Sequence, residues 1–111
     1  MQNTRAKIRM KKTILEGAEY DAAVYPCKVL KYDRDNDRIY LVLEEGGIEN
    51  ISLDGIYKCT LYTEKEGMEC EGKVLERYCN QEGNILCFQV EKGFYKININ
   101  YVSSVFENVP K

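Results

Sequence analysis

Two arginines four positions apart, Arg5 and Arg9, and a polar run further along, Asn50-x-Ser52-x-x-Gly55, are the residue types here that could grip an anion. A guanidinium presents a planar fork of donors that matches phosphate oxygens or the acceptor edge of a guanine, and it can stack on a base. Asn50 and Ser52 would add short polar groups able to bond main chain or ligand. Gly55 would permit a left-handed turn or the close approach of a ligand. Arg5, Lys7, Arg9, Lys11 and Lys12 lie close together, and no acid precedes Glu16. The same cations read equally well as a solvated basic arm, and the same polar run as an ordinary turn between strands.

Other chemistry is poorly supplied. There is no histidine, so the usual general base near neutral pH is missing. Five cysteines, Cys27, Cys59, Cys70, Cys79 and Cys87, are odd in number, scattered, and without a C-x-x-C pair. That pattern suits neither a disulfide framework nor a zinc site, and it predicts free thiols buried as small apolar groups in a reducing compartment. Carboxylate pairs such as Glu44/Glu45 and Glu69/Glu71 fall on turns or outward faces, and no G-x-x-x-x-G-K loop is present. Asp33, Asp35, Asp37 and Glu44 fall at calcium-loop positions, but Arg38 stands where the loop needs glycine and the flanks alternate like strands. The expectation is a non-catalytic binding or regulatory module with no cofactor and no metal.

The elements that would position these residues are strands. From Tyr57 to Tyr62, Tyr57, Cys59 and Leu61 alternate with Lys58, Thr60 and Tyr62, a period of two. Similar alternation runs over 22–32, 38–44, 68–78 and 94–101, while 85–90 is short and nearly all apolar, as a strand buried on both faces would be. Turns rich in Gly and acids fall at 33–37, 44–47, 64–67, 80–84 and 91–93. Gly72 inside one of these runs predicts a bulge or a tight corner. Tyr25, Tyr57 and Tyr95 share faces with Cys, Val and Ile, so they read as core or rim. At 111 residues the chain is one domain. The fold expected is all-β: a small six-stranded antiparallel barrel of PilZ-like or split-barrel type over 17–111, preceded by a basic N-terminal arm over 1–16. One turn of helix is expected in the tail, with Val102, Val105 and Phe106 on it. A net charge of −2 argues against bulk attraction to nucleic acid, and no apolar run is long enough for a membrane span or signal core. A cytoplasmic location follows as the default.

Arg5-x-x-x-Arg9 followed by Asn50-x-Ser52-x-x-Gly55 resembles the paired signature of PilZ domains, β-barrel receptors for cyclic di-GMP in bacterial signalling. That resemblance implies that Arg5 and Arg9 clamp guanines and phosphates while Asn50, Ser52 and Gly55 contact the rest of the ligand. A second resemblance covers residues 17 to 97, which look like the PilZN barrel of flagellar brake proteins. It lies in Val29-x-x-Tyr32-Asp33 to Ile39-x-Leu41, Leu53-Asp54-Gly55, Glu66-Gly67 to Val74-x-x-Arg77, and the apolar run Leu86 to Val90. On that alignment the domain would dock on a protein partner of a signalling or flagellar system and bind no nucleotide. A small RNA-binding barrel of SH3 or OB type is the third alternative, with tyrosines as stacking platforms.

Overall fold

The computed structural model describes residues 4–14, 17, 20–63 and 66–97. Six antiparallel strands close into one barrel: β1 (Arg5–Thr13), β2 (Val24–Asp33), β3 (Arg38–Leu43), β4 (Gly55–Tyr62), β5 (Gly67–Asn80) and β6 (Gly83–Ile97), in the circular order β1-β2-β3-β6-β5-β4. A single 3-10 turn, Ile48–Asn50, links β3 to β4. Among the described residues no helix is long and apolar enough to cross a membrane.

Alternation writes the barrel into the chain. On β2 to β4 the inward rows are Tyr25, Cys27 and Val29, then Ile39, Leu41 and Leu43, then Tyr57, Cys59 and Leu61, all buried. Every second side chain on a strand points the same way, so one row fills the interior while the other meets solvent. β5 brings in Cys70 and Val74, and β6 brings in Leu86 and Phe88. The close approach expected at Gly72 is present. A Cβ there would lie 1.8 Å from the Gln89 carbonyl oxygen, and the β5–β6 register shifts beside it.

Two expectations about the strands need correction. The segment expected as a basic arm supplies β1 itself, which pairs with β2 from Arg5 to Arg9 and with β4 from Arg5 to Thr13, closing the barrel. Its inward row of Ala6, Ile8 and Met10 is buried, and that burial holds the strand in place. The turn expected at 91–93 does not form. β6 runs unbroken past Gly93, and its pairing with β5, from Glu71↔Lys92 to Gly67↔Ile97, absorbs the irregularity in bulges. Of the three tyrosines expected in core or rim, Tyr25 and Tyr57 are buried, whereas Tyr95 is 46% exposed and lies outside the core. The expected helical turn at Val102–Phe106 lies outside the described residues.

Candidate functional site

The turn that holds Asn50 and Ser52 is built from the inside. Ile51 is fully buried and anchors it to the core. The Ser52 N–H donates to the Tyr57 hydroxyl at 3.0 Å, and Ser52 Oγ accepts from the Asp54 N–H at 3.0 Å. Ser52 thus acts as a turn former with its oxygen engaged by its own backbone. Arg77 reaches across from β5, and its Nη1 donates to the carbonyls of Ile48 at 3.0 Å and Glu49 at 3.2 Å, and also to that of Ile51. One guanidinium therefore gathers three carbonyls in and just after the 3-10 turn, of which that of Ile48 also accepts from the Ile51 N–H at 3.0 Å.

Asn50 and Ser52 do line a cavity, of about 360 Å³, with Met10, Tyr20, Asp21, Tyr25 and Glu49. Among the described residues its charged groups are the carboxylates of Asp21 and Glu49, and no cationic side chain lines it. The Tyr25 hydroxyl donates to Asp21, and burial followed by that bond raises the tyrosine's pKa well above its ordinary value. A phosphate placed here would meet two acids and no counter-charge, so the mouth favours neutral or cationic groups.

Arg5 and Arg9 stand elsewhere. Both project from the outer face of β1, exposed, four residues and so about 13 Å apart along an extended strand. Arg5 lines a cleft of about 530 Å³ with Ala6, Lys7, Val24, Pro26, Glu44 and Tyr62. Arg9 lines a second, of about 190 Å³, with Lys7, Lys58, Thr60, Tyr62, Glu69 and Ile97. The two clefts share Lys7 and Tyr62, and the Lys7 ammonium sits 5.7 Å from the centre of the Tyr62 ring. Gly55 is in neither. It opens β4 opposite Thr13, where a Cβ would come within 2.9 Å of Met10 Cε, a packing reason for glycine. The structure therefore joins the arginines to one strand face and Asn50 and Ser52 to an acidic mouth, and does not bring the two sets into one cavity.

The two clefts form one furrow on the outer face of β1, and the sequence shows only half of it. Lys7, Lys58, Thr60 and Tyr62 complete it, and the available signal was the period-two alternation of Arg5, Lys7 and Arg9 with Ala6, Ile8 and Met10. Thr60, expected to face solvent, is 3% exposed. It lies between Lys7 on β1 and Glu69 on β5, whose longer side chains cover it, and its hydroxyl donates to Glu69 at 3.3 Å. Glu69 also accepts from Tyr95 and lies 3.7 Å from the Lys58 ammonium, so its charge is largely spoken for.

The thiols divide in two. Cys27, Cys59, Cys70 and Cys87 are buried, whereas Cys79, also expected inside, is exposed near the tip of the β5–β6 ribbon. Burial, then the charge of Glu44, pushes the Cys27 thiol up to about 12. A hydrogen bond with Cys70, then burial, raises Cys59 as well. Thiols held protonated in this way are poor nucleophiles. Compared with known proteins, the chain matches no family model, no curated protein and no solved structure.

Proposed function

We propose that the chain is a non-catalytic binding module that docks on another protein through the outer wall of its barrel, in the manner the PilZN resemblance implies. The setting proposed with it is bacterial signalling of motility or surface polysaccharide, in the cytoplasm, where buried free thiols persist. The observation that carries this reading over the nucleotide-receptor one is the separation just described. The cations stand on a strand paired along both edges, and Asn50 and Ser52 stand beside two carboxylates. A clamp on a dianionic dinucleotide needs both sets at one place.

Calorimetric titration with cyclic di-GMP tests the choice. The expected outcome is no saturable heat. Saturable binding that Arg9→Ala abolishes, with the far-UV circular dichroism of the barrel unchanged, would overturn the docking reading in favour of the receptor.

A further inference from the structure

The proposed docking function leaves open which part of the wall is used and what it meets. We infer that the furrow across β1, centred on Lys7 and Tyr62, binds an extended acidic segment of a partner protein that also carries an apolar anchor. This inference rests on the docking reading and adds to it a surface and a partner chemistry.

Charge complementarity is the first support. The chain as a whole is net acidic at −2, yet the outward row of β1 is Arg5, Lys7, Arg9 and Lys11 without an acid among them. Five ion pairs form among the described residues, and Arg5, Lys7 and Arg9 take part in none of them. The acid nearest Arg9 in the smaller cleft, Glu69, is engaged by Lys58, Thr60 and Tyr95. Three adjacent cations are thus held side by side on a rigid sheet, a local field that favours an anionic partner and repels a basic one.

Spacing and shape narrow the partner further. Alternate residues of a strand repeat at roughly 7 Å, which is also the repeat of alternate side chains on an extended peptide. Acids at alternate positions of such a peptide would meet Arg5, Lys7 and Arg9 in register. Beside that row the larger cleft is walled by Val24, 48% exposed, together with Pro26 and the Tyr62 ring, and Glu44 also lines it. This bay, mostly apolar apart from Glu44, lies next to a row of cations and suits a chain in which carboxylates face the cations and an aliphatic or aromatic side chain enters the bay. A single-stranded nucleic acid would supply the charge, but it asks for a series of stacking faces. Among the described residues the furrow has one tyrosine, and Lys7 already lies over it.

Display selection from a random decapeptide library against the full chain tests this. The expected result is enrichment of peptides with acids at alternate positions next to an apolar residue. Their affinity should fall about tenfold or more in the double variant Lys7→Glu/Arg9→Glu, and should weaken with added salt. Both substitutions are on exposed or half-exposed side chains, and circular dichroism verifies that the barrel persists. Enriched peptides lacking acids, or binding indifferent to the double variant, would overturn the furrow while leaving the docking reading intact, as would no enrichment at all. Tighter binding of oligouridylate RNA or phosphatidylserine vesicles, lost in the same double variant, would overturn the partner class. Binding of cyclic di-GMP in the calorimeter would remove the docking reading itself, so the two failures are distinguishable.

Discussion

Arg9 and Arg77 are the same residue type on two strands of one barrel, and they have opposite occupations. Arg77 spends its guanidinium on carbonyls of the 3-10 turn, which makes it part of the fold. Arg9 stands on β1 without an ion pair among the described residues, on the outside of a strand whose inner row is Ala6, Ile8 and Met10. The same division runs through β1 itself, one face of which builds the core while the other faces the furrow. Charge therefore says little about a residue's importance to this fold, and the acceptors it reaches say a great deal.

The largest expected effect is on the inner row. Ile8 is fully buried, and Ile8→Ala should cost about 3 kcal/mol in urea unfolding, from lost burial and the cavity left behind. Next comes Arg77→Ala, expected to cost about 1–2 kcal/mol because carbonyls of the turn lose a charged donor. Arg9→Ala should stay within about 0.5 kcal/mol of the parent. If Arg9→Ala proved as costly as Arg77→Ala, the contrast between the two arginines would collapse. The smallest effect concerns Lys11, whose ammonium lies 3.0 Å from both carboxylate oxygens of Glu71 and holds that acid below its usual range. A lowered folded pKa adds stability above the unfolded value, and that stability is lost as pH falls through the folded pKa. Lys11→Met should therefore move the Glu71 titration, followed by carboxyl NMR shifts, upward toward its ordinary value of about 4.3. An unmoved titration would show that the pair does not form in solution.

Much of the fold was legible because four of its strands declare themselves by clean alternation between turn formers. Tyr57 to Tyr62 and Ile39 to Leu43 could hardly be anything else. β1 was hidden by its own outer face. Arg5 and Arg9 are four apart, a spacing that fits one face of a helix or a mobile arm as well as one face of a strand. The modest apolar row between them was overshadowed by the charge. Gly93 misled for a related reason: glycine is a turn former by propensity, and only pairing with β5 shows that the strand continues. Of the candidate site, the types were readable and the placement was not. Nothing local in Asn50-x-Ser52 tells of Asp21 and Glu49 beside it, or of Arg77 holding the turn from another strand.

Between Arg5 and Arg9, β1 is hydrogen-bonded along both sides, to β2 and to β4. Such a strand has no main-chain groups left to offer, so a partner cannot add a strand of its own there and must read side chains alone. In the docking proposed above, recognition and folding would fall on separate positions of one short segment, odd numbers for the first and even numbers for the second. Substitutions at Arg5, Lys7 or Arg9 could retune what is recognised over generations while the barrel beneath them stays the same.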